Sequence, residues 1–314
     1  MNAHPLVTVG LPTYNGSRFL REAIESILAQ DLEDFELVIS DNGSTDATEE
    51  IARATSARDP RVRYQRVAEN RGAAWNYNRV LALARGRYFK WAADDDICAP
   101  SFLRRCADEL DRSPAAVVAF PQTTIIDEHG EPTGTLDDDD LDLRAPDPVE
   151  RLSQLLRHRI EWHPVFGVIR TEALRRTRGI STLTLSDAAL LAELAMLGEF
   201  HQVPERLFLR RYHDARSIVA NPTFEAYASW YDPHRRRRAV LPNAELVLAL
   251  LRRVLEAPLA TVDRARAGAA VLQLWALPHW RHIGGEARLA LLGAGSRRSS
   301  VPRLLRPSAS RRKG

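Results

Sequence analysis

The sequence is poor in sulfur: its 314 residues include two cysteines and two methionines. Cys98 and Cys106 stand eight apart, with no C-x-x-C spacing and no histidine pair nearby. Neither a disulfide framework nor a zinc site is expected, and a reducing, cytoplasmic setting fits. Long apolar runs are missing as well. The longest fall short of the roughly 20 residues that a spanning helix needs, and Met1 to Pro5 has neither the basic nor the apolar part of a secretion signal. No segment repeats at a fixed period. The loop after the first apolar run, Pro12–Gly16, lacks the glycine spacing of GxGxxG or of a P-loop. A disulfide-stapled domain, a zinc finger, a membrane-spanning protein and a solenoid are thereby excluded, and a soluble globular chain is expected.

An apolar content of 45% and a charged content of 27% suffice for an ordinary core. The length suits one large domain with an appendage. The net charge of +3 is unevenly spread. Residues 136–147 are acidic, the chain from Arg235 is rich in arginine, and Arg297–Lys313 has no acid at all. Such a basic end can meet nucleic acid, an anionic lipid surface or an acidic partner, and its plainer reading is a solvated, disordered tail. No nucleic-acid motif accompanies it, and no nucleic-acid partner is expected.

The first 127 residues alternate two periodicities. Val7–Leu11, Phe35–Ser40, Val62–Val67, Tyr88–Ala92 and Ala116–Ile126 read as strands. Between them, 19–28, a segment capped by Thr45 or Asp46 with Glu49 completing a capping box, 72–84, and a segment opened by Pro100 read as helices. This order predicts an α/β fold with a mostly parallel sheet flanked by helices. After a polar loop at 128–147, helices are expected at 148–157 and 187–197, and a strand with a turn at Pro204 over 200–212. A helical stretch runs from Asn243 to about Leu292. The expected organisation is a main domain at 1–232, in halves 1–127 and 128–232, a helical C-terminal extension at 233–296 and a basic tail at 297–314.

In open α/β sheets ligands bind beyond the carboxyl ends of the strands. Those ends carry Pro12-Thr13-Tyr14-Asn15, Asp41-Asn42-Gly43 and Asp94-Asp95-Asp96. Three adjacent carboxylates at the end of a buried strand call for a cation, and Mg²⁺ or Mn²⁺ on carboxylates and substrate phosphates meets that need. Asp41 can accept a base N–H, and Tyr14 can lie against a base. A solvated acidic turn and a turn aspartate are the plainer readings of the same residues. Asp137–Asp140 is a longer acidic run but follows no strand, and Gly293-Ala294-Gly295 follows no strand either, so both read as loops.

The ordered segments V-x-V-x-L-P-T-Y-N-G, F-E-L-V-I-S-D-N-G-S-T-D, E-N-R-G-A-A-W-N-Y-N and G-R-Y-F-K-W-A-A-D-D-D resemble family 2 glycosyltransferases of the GT-A fold. The resemblance is dense from about residue 6 to 127 and thinner to about 213. It implies inverting transfer from a nucleoside-diphosphate sugar, with UDP-sugars favoured, to a hydroxyl or amine of a glycan, lipid-linked or small-molecule acceptor. By position it assigns Pro12, Thr13, Tyr14, Asp41, Asn70, Arg71, Asn78 and Asp94 to the nucleotide-sugar, with Asn15 beside them. It assigns Asp95, with Asp94, to a divalent metal, Asp96 being the weaker ligand. Ala93 stands where the family's acidic motif usually begins. Asp187 occupies the place of the catalytic base, with Ser186 in the slot of a second acid, and Trp162 and His163 fall on the acceptor side. Arg210, Arg211 and His213 follow the next strand, where they can approach the diphosphate oxygens of the nucleotide-sugar, His213 can complete the metal shell, or all three can pair at the surface. The alternatives are a non-catalytic sugar-nucleotide-binding protein of the same fold and, with less support, a nucleotidyltransferase. The C-terminal helices can pack on the core, form a homodimer surface or touch a membrane.

Overall fold

The computed structural model describes residues 4–136, 141–157, 162–234 and 240–291. The acidic run Asp137–Asp140, the turn at Gly293 and the basic tail lie outside them.

Strand β1 (Val7–Thr13) is buried along its whole length, as is β2 (Phe35–Asp41). Strands covered on both faces read as unbroken apolar runs, which is why both were visible in sequence. Their side chains alternate between two cores. Val7, Val9, Leu11, Leu37 and Ile39 join helices α1 (Leu20–Leu28), α2 (Thr48–Arg58) and α4 (Phe102–Arg112) on one face. Val38 of β2, with Phe89 and Trp91 of β4 (Tyr88–Trp91), joins α3 (Ala73–Ala82), α5 (Pro148–Arg157) and α7 (Ser186–Leu197) on the other. Most of α7 is buried, because SDAALLAELAML is apolar on every side.

The remaining strands are β3 (Val62–Arg66), β5 (Ile97–Cys98), β6 (Ala116–Ile126), β7 (Pro132–Thr135), β8 (Val168–Arg170) and β9 (Glu199–Arg211). The sheet order is β3-β2-β1-β4-β8-β6-β9-β5, with β7 paired to β6. The ladders β3-β2-β1-β4 and β6-β9 are parallel, whereas the short strands β5, β7 and β8 pair antiparallel. The sheet is therefore mixed, with its long ladders parallel. The chain leaves β1 toward β2 and β3, then returns to lay β4 on the other side of β1. That reversal is the topological switch point where such sheets bind ligands.

Three local expectations change. The polar loop contains β7, which folds back on β6. The turn expected at Pro204 is a bulge inside continuous β9: Pro121 pairs with Val203 and Gln122 with Arg206, leaving residues 204–205 without opposite numbers. The capping box does not form. Asp46 accepts the Thr48 N–H at 3.0 Å, but Glu49 turns to Arg53 and Arg66.

Helices α10 (Pro242–Glu256) and α11 (Thr261–Val271) and the π turn at Leu272–Ala276 bury Leu246, Leu250, Val254, Ala267, Val271 and Trp275 in the same core as α7. The helical extension thus shares the core of the α/β body. Helix α12 (Trp280–Leu291) follows, and two short helices, α6 (Thr171–Arg175) and α8 (Ser217–Ala220), lie in the connections after β8 and β9. No helix among the described residues is long and apolar enough to cross a membrane.

Candidate active site

At the switch point the ends of β1 and β4 open a cleft of about 420 Å³. Pro12, Thr13, Tyr14 and Asn15 form one lip, and Asp94, Asp95 and Asp96 lie beside them. The Thr13 hydroxyl donates to Asp94 at 2.5 Å, joining the two strand ends. Gly16 is required here, since a Cβ on it would stand 2.1 Å from the Asp94 carboxylate. Asn15 takes φ 54°, a conformation that asparagine tolerates, and its carboxamide oxygen accepts the Thr45 N–H at 2.8 Å.

The three aspartates face different partners. Asp95 meets Nε2 of His213 at 2.9 Å. The Ala215 N–H points at Nδ1 of that ring at 3.3 Å, which leaves Nε2 as the donor to Asp95. Asp96 is buried and accepts the Arg211 N–H at 2.8 Å. Burial first, and the Asp95 charge second, push both Asp94 and Asp96 up to about 7, against the Thr13 hydrogen bond at Asp94 and the nearby Arg210 and Lys90 at Asp96. So much negative charge in one place is a site that gains from a cation.

Arg211 lines the cleft, but its guanidinium is spent on structure. It donates to the Asp95, Asp127 and Glu128 carbonyls and pairs with Glu22 at 2.6 Å. It fixes the acidic loop instead of reaching outward.

Across the cleft stands Asp187, one residue into α7. Burial raises its carboxyl to about 6, with Arg210 opposing. Ser186 does not act as a second acid: its hydroxyl accepts the Ser181 N–H at 2.9 Å and braces the loop before α7. The Tyr77 phenol lies between the two acidic walls. Burial, then the charges of Asp187 and Asp94–Asp96, hold it neutral far above the usual range. Another wall of the cleft is aromatic. Trp162 lines it with Tyr227 and Trp230 of α9 (Phe224–Tyr231), two rings stacked 5.5 Å apart at 22°. Helix α9 sits close because Gly72 does: φ there is +88°, and a Cβ would come within 2.4 Å of the Tyr231 carbonyl.

Not every residue singled out in sequence reaches this cleft. Asp41 is fully buried beneath it and accepts from the Ser44 N–H and the Tyr64 hydroxyl, each at 2.8 Å. The lining residue is its neighbour Asn42, which donates to Asn70 at 2.9 Å and accepts the Arg71 N–H at 3.0 Å. Asn70 lines the cleft, but the Arg71 side chain leans outward over Trp75, 4.4 Å from its ring. Asn78 points away and clamps the Ile180 backbone at 2.6 and 3.0 Å. Asn76 faces the cleft instead, bonded to the Thr13 and Ser40 carbonyls. His163 is buried behind Trp162 against Phe120. Also unforeseen was Arg216, which lines the cleft with its guanidinium 3.9 Å over the Tyr212 ring. Its Nε is buried with no hydrogen-bond partner among the described residues. In sequence, WNYN and the stretch from Arg210 to His213 stand out, but that reading stops short of Arg216 and does not give each side chain its direction.

A curled α/β sheet with its crevice at the strand reversal, acidic on both walls, defines a GT-A-type glycosyltransferase fold. The chain belongs to glycosyl transferase family 2, whose model matches residues 8–183, more than half of its length. Chondroitin synthase of Escherichia coli is 33% identical over 126 residues, an overlap of 40% of this chain and 18% of that protein. This chain thus spans under a fifth of that relative. Among solved structures, TarS 1-349 of S. aureus in complex with UDP-GlcNAc superposes with a TM-score of 0.64 at 15% identity, over 89% of this chain and 79% of that one. The mannosyltransferase PcManGT of Pyrobaculum calidifontis, in complex with GDP-Man and Mn²⁺, gives 0.54 at 22% identity, over 92% and 81%. At these identities the two structures share the fold with this chain.

Proposed function

We propose that the chain transfers a sugar from a nucleoside-diphosphate sugar to an acceptor hydroxyl or amine, with inversion. The observation that carries this reading is the position of Asp187, a half-buried carboxyl raised to about 6 across one cleft from Asp94–Asp96. A base near neutral pH is suited to take the acceptor's proton as that oxygen or nitrogen attacks the anomeric carbon. With the base on one wall and the diphosphate on the other, attack and departure occur on opposite faces of the sugar. Tyr77, held neutral between them, can donate a hydrogen bond without adding charge. Arg210 and Arg216 bring positive charge toward the leaving group.

The nucleoside lies in this reading along Pro12–Asn15, Asn42, Asn70 and Asn76, and UDP is favoured because a neighbour of the same fold binds UDP-GlcNAc. Trp162, Tyr227 and Trp230 then face the acceptor, where flat rings suit the apolar face of a sugar. Among the described residues no three His, Cys, Asp or Glu side chains are grouped to hold a metal by themselves. The donor set nevertheless fits Mn²⁺ or Mg²⁺, which take one or two carboxylates and complete their shell with substrate phosphates. Asp95 and Asp94 would hold it, with His213 beside them, and its charge would offset that of the departing diphosphate.

A thermal-shift screen of nucleotide sugars with Mn²⁺ tests the donor half. A true donor binds only the folded chain and at 100-fold excess over Kd adds about 2.7 kcal/mol. A UDP-sugar is expected to raise the melting temperature, and Asp95→Ala to abolish the Mn²⁺-dependent part. No shift with any nucleotide sugar would sink the reading.

A further inference from the structure

Eight large apolar side chains are exposed among the described residues, and six of them fall in the C-terminal helices: Leu248, Leu255, Val262, Leu272, Leu277 and Trp280. These helices are not loosely attached. They bury Leu246, Leu250, Val254 and Val271 in the main core, so apolar residues are present on the inner face and on the outer one. Leu248 and Leu255 stand seven apart on one stripe of α10, with exposed Arg252 between them. Leu277, Trp280 and Arg281 fall within one turn at the start of α12, the guanidinium 5.4 Å from the indole ring. A helix face turned to water alone would carry polar residues there.

Charge selects the occupant. From Val240 to Leu291 the sequence has six arginines against four acids, and the stretch from Arg297 to Lys313 adds seven arginines and lysines with no acid. The acids are engaged within the fold, Glu245 by the Leu241 N–H, Glu256 by Arg178 and Arg252, Asp263 by Arg266 and Glu286 by Asn243, while exposed Arg281 and Arg288 stand on α12. A second copy would set this net positive charge against itself. An anionic bilayer answers both its apolar and its basic character, and a helical face that mixes the two lies in the plane of the interface.

We infer that the outer face of α10–α12 docks on an anionic phospholipid surface, where it would hold the cleft beside acceptors presented from a membrane. The docking itself does not depend on the chemistry of the cleft. Flotation of the full chain with phosphatidylcholine vesicles, with and without phosphatidylglycerol, tests it. Binding is expected to the anionic vesicles and to weaken with salt. Leu277→Ser/Trp280→Ser should reduce it roughly tenfold, and Arg281→Glu/Arg288→Glu by at least about 25-fold, since each basic residue contributes about fivefold at such a surface. Both variants should keep the melting temperature and the donor-induced shift of the parent, because they alter only exposed positions. Failure of the parent to float with anionic vesicles, or undiminished flotation of both folded variants, would overturn the proposal. So would a concentration-dependent dimer that Leu277→Ser/Trp280→Ser abolishes, which would assign the face to a second copy.

Discussion

Asp187 owes its proposed role to burial. A solvated aspartate titrates near 3.9 and is a weak base at neutral pH, whereas this one is raised to about 6. Transfer should therefore rise about tenfold per pH unit below 6 and level off above it, and a pH profile of kcat/KM reads this directly. The same shift has a stability cost of known sign. A carboxyl whose folded pKa is raised lends stability that is whole below the unfolded pKa and lost as pH rises through the folded one. Asp187→Asn removes that loss. It should melt as the parent does at pH 4 and roughly a few degrees higher at pH 8, by differential scanning fluorimetry. The residue scale is also where sequence was least informative. Asp41 and Asn42 adjoin, yet only Asn42 faces the cleft. Asn76 and Asn78 differ by about 200° around a helix of 3.6 residues per turn, and only Asn76 faces it. Motif spacing finds the segment, whereas the phase of strand or helix decides which side chain arrives.

At the scale of elements, α7 is held from behind by the C-terminal extension. Glu193, buried two turns after Asp187, forms an ion pair with buried Arg253 of α10 and accepts the Arg178 N–H at 2.7 Å. Burial raises the Glu193 carboxyl, and Arg253 opposes that rise. Arg253→Met would leave a buried charge without its partner and should cost about 3–5 kcal/mol in chemical denaturation. Adding Glu193→Leu should recover much of the loss, as coupling between contacting residues requires. The long elements were readable because each repeats its period several times: β1, β2, α1 and α7 carry unbroken apolar or amphipathic patterns. Strands β5, β7 and β8 have two, four and three residues. No period can declare itself in so few positions, and their pairing is set by β4, β6 and β9 beside them.

At the scale of the molecule, alternation of strands and helices gave the parallel ladders, and the rule that ligands lie beyond strand ends located the cleft before any side chain was placed. The two acidic walls come from far apart in sequence, Asp94–Asp96 from the end of β4 and Asp187 from α7. Residue spacing alone could not join them; resemblance to a family did so provisionally, and the sheet brings both to one opening. The most direct test of the account compares parent and Asp187→Asn on the same donor and metal, with binding by calorimetry and sugar transfer by release of nucleoside diphosphate. Donor affinity should stay within about twofold while transfer falls by roughly 10²–10⁴. Transfer by Asp187→Asn at the parent's rate would contradict it.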